Sequence, residues 1–273
     1  MPPSRVRPRL AAIALCAGAL ALSGCAALGP AGSGGPGDGL EVDPNESVPL
    51  LTPGQLTVCS DIPYPPFEFQ QDGKTVGYDI DIVQRIADDL GAELNIVDSS
   101  FEAIQSGASL TGCDVNISSI TITDERRQTM AFSIPYLNDD LVLVAPVGSG
   151  ITDLESAKGK RVGVQQATTG EFFAEENGLD IVQFEDGGMQ VEGLRSGGAD
   201  AVLGNGSVLL YQLKDDPEYE VVQTFDTGEQ LGMGVSPDNA LLLSFINQTL
   251  IEMDKDGTLD ESKVRWFGEE AVQ

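Results

Sequence analysis

The sequence predicts an α/β protein of two lobes, each a mainly parallel sheet flanked by helices. Segments typical of strands and helices alternate from Gln55 onward, and the alternation restarts near Arg161. Chains that alternate strands with helices form parallel sheets covered by helices, so two such runs indicate two lobes. In sheets of this kind, ligands bind beyond the carboxyl ends of the strands.

The first run begins with a short strand at Leu56–Cys59. A helix follows, because apolar residues recur there at helical spacing. Its repeating residues are Ile82, Val83, Ile86, Ala87 and Leu90. We expect Asp79 to cap its start and Gly91 to follow its end. Further strands are predicted at Leu94–Val97 and Val115–Ile117, with a helical stretch between them near Phe101–Ala108.

The second run repeats this order and is followed by two helices. Its predicted strands are Arg161–Val164, Ile181–Phe184 and Ala201–Leu203, with helices through Ala174 and at Met189–Arg195. The final helices are predicted at Leu241–Met253 and Leu259–Trp266. The residues between them partly match a calcium-binding loop, but Lys263 falls where such a loop requires Glu. A turn closed by Gly257 is therefore the better prediction.

The N-terminus is typical of an export signal. Three arginines (Arg5, Arg7 and Arg9) precede the uncharged apolar run Leu10–Leu22. That run is shorter than the ~20 residues that span a bilayer, and its flanks are those of a secretory signal. Leu22-Ser23-Gly24-Cys25 then resembles the lipobox of bacterial lipoproteins. The resemblance implies cleavage after residue 24 and lipidation of Cys25; the alternative is an ordinary signal with an incidental cysteine.

The composition of residues 25–54 is typical of a flexible tether. Gly, Pro, Ala and Ser dominate Gly29–Gly39, and no hydrophobic periodicity begins before Leu50. A coil of this kind has a root-mean-square reach on the order of 30 Å. Because more than one acyl chain makes lipid attachment durable, we expect the folded part to stay at the outer face of the cell membrane.

The net charge of the chain limits the partners that it can bind, and the positions of its cysteines limit the disulfides that it can form. The chain carries 43 acidic residues against 15 basic ones, a net charge of −28. This excludes nucleic acid and anionic lipid as electrostatic partners. Cys16 leaves with the signal and Cys25 is assigned to lipid, so Cys59 and Cys113 remain. They form either a disulfide or two buried apolar side chains.

The chain contains no histidine. Its absence excludes Ser-His-Asp and Cys-His catalysis and removes the commonest metal ligand. No P-loop, nucleophile elbow or complete dinucleotide-binding motif is present. We therefore expect a binding protein without metal or cofactor, not an enzyme.

A set of motifs occurs in one order along the chain. They are Asp61–Phe69, Gly77–Asp81, Thr121–Arg126, Phe132–Tyr136, Gly159–Gln165, Asp256–Leu259 and Arg265–Gly268. Together they resemble the polar-amino-acid-binding family of ABC-importer substrate-binding proteins (family 3), over about Leu56–Gly268. The resemblance implies a type II periplasmic-binding-protein clamp with a two-strand hinge. Lobe 1 would be 55–138 with 231–273, and lobe 2 would be 139–230.

The resemblance also implies a binding site and the role of each of its residues. Those residues are Asp61, Tyr64, Phe101, Ser118, Ser119, Thr121, Arg126, Gln165, Thr168, Thr169 and Asn205. Arg126 would bind the α-carboxylate of an amino acid. The Thr121 hydroxyl and the Ser119 backbone would add hydrogen bonds, and Ser118 would line the wall.

The remaining roles concern the ligand's side chain and the second lobe. Tyr64 and Phe101 would be aromatic walls, and core packing is their alternative. Asp61 and Gln165 would contact the ligand's side chain. Thr168 and Thr169 begin a helix, whose positive end suits a carboxylate.

Asn205 departs from the family, which usually has Asp there to bind the ligand's ammonium group. Either Asp61 takes over the ammonium, or the ligand is not a standard L-α-amino acid. The expected function is extracytoplasmic capture of an amino acid with a polar-neutral or basic side chain. The protein would act as a monomer and deliver this ligand to an ABC permease and its ATPase. The alternatives are a dehydratase-like enzyme, with Glu171 or Asp61 as its acid, and a ligand-sensing receptor.

Overall fold

The structure, a computed structural model, describes residues 47–269. The predicted signal peptide, Cys25 and residues 26–46 of the tether lie outside the described residues. Within 47–269, no helix is long and apolar enough to cross a membrane.

Strands and helices alternate in the described chain as the sequence predicts. The strands are β1 (Gln55–Ser60), β2 (Phe69–Gln71), β3 (Lys74–Val76), β4 (Glu93–Asp98), β5 (Val115–Asn116), β6 (Ala131–Phe132), β7 (Leu137–Pro146), β8 (Arg161–Gln165), β9 (Asp180–Phe184), β10 (Ala201–Asn205), β11 (Tyr219–Leu231) and β12 (Gly234–Val235). The helices are α1 (Tyr78–Leu90), α2 (Phe101–Gln105), α3 (Thr169–Glu176), α4 (Gly187–Arg195), α5 (Gly206–Leu213), α6 (Ala240–Asp256) and α7 (Thr258–Phe267). The turn between the last two helices closes on Gly257, as predicted, at φ 83°.

The first lobe is built on a five-stranded sheet in the order β4-β1-β5-β12-β6. Strand β1 is parallel to both of its neighbours, whereas β12 runs antiparallel to β5 and β6. Helices α1, α6 and α7 bury their apolar faces on this sheet, with Ile82, Ile86 and Leu242 fully buried. The carboxyl ends of β1 and β5 therefore open toward the same edge of the lobe, where the loops at Asp61 and Ser118 begin.

Helix α1 shows one difference from the sequence prediction. Gly91 ends the helix in the left-handed conformation, as expected, but its start is capped at Gly77 and not at Asp79. The Asp79 side chain is fully buried and accepts hydrogen bonds from the Ser119 N–H (2.9 Å) and the Tyr136 hydroxyl (3.2 Å). The capping role predicted for Asp79 is wrong because its carboxylate instead holds the loop after β5.

The second lobe is built on a five-stranded sheet in the order β11-β7-β10-β8-β9. Strands β10, β8 and β9 are parallel, and their apolar residues form a core with the helices on either face. Helix α3 follows β8 directly, and helix α5 follows β10 directly. Both helices thus begin at the carboxyl edge of the sheet.

Two long antiparallel strands connect the lobes. Strands β7 and β11 pair from Leu137↔Leu231 to Pro146↔Tyr219, and Leu231 also bridges to Thr121 of the first lobe. The register shifts between Phe225 and Glu229, where β11 contains a bulge. The chain passes between the lobes at this pair, so these strands form the two-strand hinge of the clamp.

The folded body begins before the tether boundary predicted at residue 54. Val48 and Leu50 pack against the core of the first lobe, and the Leu51 N–H donates to the Asp114 carboxylate at 2.7 Å. Near that point a disulfide joins Cys59 to Cys113, with 5.8 Å between their Cα atoms. The bond ties β1 to the segment that enters β5, and so steadies two strands whose ends carry predicted site residues.

Candidate ligand-binding site

Arg126 lies buried between the two lobes, with 4% of its surface exposed. One guanidinium nitrogen donates to the Thr121 carbonyl in its own lobe at 2.9 Å, and another donates to the Ala167 carbonyl in the second lobe at 3.1 Å. The guanidinium also lies over the Phe101 ring, 5.3 Å from its centroid. Burial lowers the pKa of Arg126 to about 10, although the nearby Glu229 charge opposes that shift. Arg126 remains a cation at neutral pH and spans the cleft.

The turn that receives Arg126 is held rigidly at the start of α3. Ala167 has a left-handed φ of 61°, and its N–H donates to the Glu171 carboxylate at 2.6 Å. The Thr168 hydroxyl donates to the Gln165 carbonyl at 2.8 Å and accepts from the Glu171 N–H at 3.2 Å. Thr168 is therefore the helix cap. The first N–H groups of α3, beginning at Thr169, have no acceptor within the helix.

Glu229 occupies the centre of the cleft, and sequence reasoning missed it. Its Oε2 accepts hydrogen bonds from the Thr121 hydroxyl (2.7 Å), the Thr169 hydroxyl (3.0 Å) and the Asn205 amide (3.4 Å). These partners come from both lobes, and Glu229 itself lies on the hinge strand β11. The signal that could have found it is the neutral Asn205, which leaves a zwitterion site in need of another acid.

Asp61 defines the other end of the cleft. Its carboxylate accepts a hydrogen bond from the Gln165 amide of the second lobe at 3.0 Å. Burial raises the pKa of Asp61 to about 7, and the neighbouring charges of Asp186 and Asp98 add to the increase. This end of the cleft is therefore rich in carboxylates, which favour a cationic group.

Ser118 and Ser119 lie behind the cleft and not in its centre. The Ser118 hydroxyl donates to the buried Glu68 carboxylate and accepts from the Asp61 N–H at 3.3 Å. The Ser119 N–H is committed to Asp79, but the Ser119 hydroxyl is buried and has no hydrogen-bond partner in the described part of the chain. Ser119 can thus offer its hydroxyl to a ligand, whereas its backbone N–H is already used.

Glu68 and Asp79 form a buried acidic pair beneath these serines. Both side chains are fully buried. Burial raises the pKa of each, and the charge of Asp79 raises the pKa of Glu68 further. Two carboxylates in contact without water hold a proton between them. A pair that shares one proton carries a single negative charge, and it braces the loop that carries Ser118 and Ser119.

The cleft is closed in this conformation. Tyr64 of the first lobe packs on Gly187 of the second lobe and belongs to one buried apolar cluster with Val208. The cavity beside this contact measures only about 10 Å³, and its lining includes Tyr64, Gln165, Thr168 and Asn205. Such a cavity holds no more than about one water molecule. An amino acid can enter only when the lobes part, and this is the motion that a two-strand hinge permits.

The geometry sorts the predicted site residues into three groups. Thr121, Thr169 and Asn205 bond to Glu229, and Phe101 lies against Arg126; Asp61, Tyr64, Gln165 and Thr168 lie toward the other end; Ser118 and Ser119 support the wall. Two lobes that close by a hinge on buried groups of opposite charge define a solute-binding protein.

The comparisons with known proteins agree with that class. The family model for bacterial extracellular solute-binding proteins, family 3, matches residues 56–269. The chain belongs to this family. Its curated relatives are amino-acid-binding proteins of ABC importers.

Individual relatives cover most of the chain. The L-cystine-binding protein TcyJ of Escherichia coli (strain K12) is 31% identical over 227 residues, 81% of this chain and 85% of the relative. The ABC transporter arginine-binding protein 1 of the same strain is 29% identical over 214 residues, 75% of this chain and 87% of the relative. Among solved structures, an ancestral arginine-binding protein bound to glutamine superposes with a TM-score of 0.74 at 36% identity, covering 80% of this chain and 100% of the other.

Replacing Gly187 with alanine is expected to hinder closure. A Cβ atom there would lie 2.8 Å from Cε2 of Tyr64, across the cleft. Overpacking of this kind costs about 1–3 kcal/mol, so ligand affinity should fall about 5- to 150-fold. Calorimetric titration of Gly187→Ala measures the loss. Gly188→Ala, in the same helical turn but away from Tyr64, is the control; equal losses in both variants would show that the Tyr64 contact does not limit closure.

The pH dependence of unfolding is expected to reflect Asp61. Burial raises the pKa of Asp61 and that of Asp79 to about 7, and that of Asp139 to about 6. Between about pH 4 and pH 7 the folded protein therefore binds protons that the unfolded chain has released, so the free energy of unfolding falls as pH rises. Denaturant unfolding between pH 5 and pH 8 should show this fall, and Asp61→Asn should reduce it.

Asp200 supplies the control for that experiment. Hydrogen bonds from Arg161 lower the pKa of Asp200, so its stabilising contribution is lost only under acidic conditions, below the pH range tested. Asp200→Asn should leave the slope between pH 5 and pH 8 unchanged. A slope that stays at the wild-type value in Asp61→Asn would mean that Asp61 does not bind a proton on folding.

Proposed function

We propose that the protein captures a small amino acid with a basic or polar-neutral side chain outside the cytoplasm and delivers it to an ABC permease. The observation that carries this proposal is Arg126, a buried cation that donates hydrogen bonds to both lobes across a closable cleft. A guanidinium has five N–H donors in a planar fork that matches a carboxylate. The Thr121 and Ala167 carbonyls that accept from Arg126 carry no net charge. A ligand carboxylate would supply the negative charge that the guanidinium needs as its partner.

The start of α3 supports the same carboxylate from the second lobe. Its cap, Thr168, and its first residue, Thr169, follow the turn at Ala167 that Arg126 contacts. The first N–H groups of a helix have no intrahelical acceptor and lie at the positive end of the helix dipole. A carboxylate bound between Arg126 and this helix would hold the two lobes together, and this is how a ligand would stabilise the closed form.

The preference for a basic or polar-neutral side chain rests on the other end of the cleft. The charged groups acting on Asp61 are the carboxylates of Asp98, Glu185 and Asp186. An acidic side chain placed there would meet like charges, whereas an ammonium, guanidinium or amide group could donate to Asp61. The names of the relatives, which include an arginine-binding protein and a glutamine-bound ancestor, are consistent with such ligands.

The location and the delivery step rest on the sequence. The predicted lipobox ending at Cys25 would attach the protein to the outer face of the membrane, and the tether predicted after it would link the folded body to that anchor. A protein held in this way stays close to a permease in the same membrane. The lobe faces would contact the permease, whose partner ATPase lies on the other side.

The hydrogen bonds that the Glu171 carboxylate accepts favour a binding role over the enzymatic alternative. Its Oε2 accepts from the Ala167 N–H and its Oε1 accepts from the Gln183 amide. A carboxyl group held by two donors in this way braces a turn and is poorly placed to protonate a substrate. Asp61 accepts one such bond. A single acid in the cleft can bind the side chain of a ligand as readily as it can act as a catalytic acid.

Titration calorimetry with L-arginine, L-glutamine, L-cystine and L-glutamate tests the proposal. We expect binding of at least one of the first three and weak or absent binding of L-glutamate. Arg126→Ala should weaken that binding by about 30-fold or more, because truncating one member of a buried charge pair costs 2–5 kcal/mol or more. Arg127→Ala removes the adjacent, exposed arginine and should bind as the wild type does.

Two results would contradict the proposal. Binding of L-glutamate alone would refute the assigned side-chain preference. Undiminished affinity in a folded Arg126→Ala variant would remove Arg126 from the site and with it the observation on which the proposal rests.

A further inference from the structure

The hydrogen bonds around Glu229 define which kind of group can bind beside it. An ionised carboxylate only accepts hydrogen bonds, so the hydroxyls of Thr121 and Thr169 must point their protons at Oε2, 2.7 and 3.0 Å away. For the same reason Asn205 presents its NH₂ group to Oε2, at 3.4 Å. Both hydroxyls, and one of the two N–H bonds of the Asn205 amide, are thereby committed to Glu229.

What these groups have left to offer a ligand is mainly hydrogen-bond acceptors. Once its amide nitrogen faces Glu229, Asn205 has its carbonyl Oδ1 available. The hydroxyl oxygens of Thr121 and Thr169 keep lone pairs. Glu229 itself keeps Oε1, because none of the hydrogen bonds within residues 47–269 ends on that atom. Apart from the second N–H of Asn205, this cluster presents acceptors, so it repels a carboxylate and suits a group with several N–H donors.

We propose that Glu229 is the residue that binds the α-ammonium group of the ligand, with the Asn205 carbonyl as its neutral partner. This inference rests on the proposed function and assigns the ammonium end of the same site. It also reassigns the hydroxyls of Thr121 and Thr169: they fix the Glu229 carboxylate and do not donate to the ligand's carboxylate.

The backbone of β11 explains why Glu229 reaches the cleft. The register of β11 against β7 shifts between Phe225 and Glu229, and Gly228 takes a left-handed φ of 64°. A bulge of this kind re-aims the side chain that follows it. Glu229 and Leu231 are buried, while Gln230 between them is exposed. The bulge therefore turns a glutamate of the hinge strand inward, to a point that donors of both lobes reach.

The charges nearby match the two ends of a zwitterion. Arg126 and Glu229 are both buried, with 4% and 9% of their surfaces exposed, and the Glu229 charge raises the pKa of Arg126. Asp139 lies opposite Glu229 on β7, but its carboxylate is occupied by the Ser207 N–H and hydroxyl. One cation and one free acceptor cluster thus lie side by side, where an α-amino acid presents a carboxylate and an ammonium on one carbon.

The test compares two ligands in three proteins. Titration calorimetry is carried out with L-arginine and with δ-guanidinovalerate, which is arginine without its α-ammonium group, on the wild type, Glu229→Gln and Glu220→Gln. L-glutamine and its deaminated analogue replace this pair if the wild type prefers glutamine. Glu220 is an exposed acid on the same strand, so its variant matches the change in net charge.

We expect Glu229→Gln to weaken the binding of the amino acid by about 10- to 100-fold, as for the loss of a hydrogen bond to a charged group. Binding of the deaminated analogue should be unchanged, which also shows that the variant is folded. Glu220→Gln should behave as the wild type does. In the double variant Asn205→Asp with Glu229→Gln, a carboxylate is restored on the neighbouring strand, and affinity for the amino acid should recover.

Three results would overturn the assignment. If the wild type binds the amino acid and Glu229→Gln binds it equally well, the ammonium is held elsewhere and only this inference fails. If Glu229→Gln binds more tightly, Glu229 competes with the ligand's carboxylate for the donors. If the wild type binds no α-amino acid, the proposed function fails and the assignment fails with it.

Discussion

The burial of opposite charges in the cleft is the constraint on which the rest of the structure depends. Taking an ion out of water costs several kcal/mol unless partners replace its hydration. Arg126 meets that requirement with two backbone carbonyls and an aromatic face, and Glu229 meets it with two hydroxyls and an amide. Some of these partners come from each lobe, so the charges are fully satisfied only when the lobes approach. The lobes therefore close, and the two buried charges gain their full sets of partners, in the same step.

The surrounding fold serves to place those partners. Glu171 holds the turn whose Ala167 carbonyl reaches Arg126, and the buried Glu68–Asp79 pair holds the loop at Ser118. The hinge adds a third element, because its bulge delivers Glu229 between the lobes. None of these groups needs to contact a ligand to matter for binding. They fix the positions of Arg126 and Glu229. The proposed carboxylate and ammonium groups of the ligand would then each lie beside a residue of opposite charge.

Much of the fold could be predicted from periodicity, but some side-chain roles could not. The spacing of Ile82 and Ile86 predicts α1, and Gly91 marks its end. The capping role of Asp79 was wrong because a buried tyrosine and a distant loop compete for its carboxylate, and such long-range contacts are invisible to local rules. Glu229 was missed for a related reason: in the sequence it is one acid among 43, and only the β11 bulge turns it inward. Arg126 was singled out through the family motif that contains it; the structure buries it between the lobes, and its binding of a carboxylate stays a prediction.

The most direct test of the central claim is a crystal structure of the protein with the amino acid that it binds most tightly. The account predicts a closed clamp with the ligand's carboxylate on Arg126 and its ammonium on Glu229 and the Asn205 carbonyl. Tyr64 would be displaced from the small cavity that it closes here. An ammonium held by Asp61, or a carboxylate bound by the hydroxyls of Thr121 and Thr169 with Glu229 turned away, would contradict it.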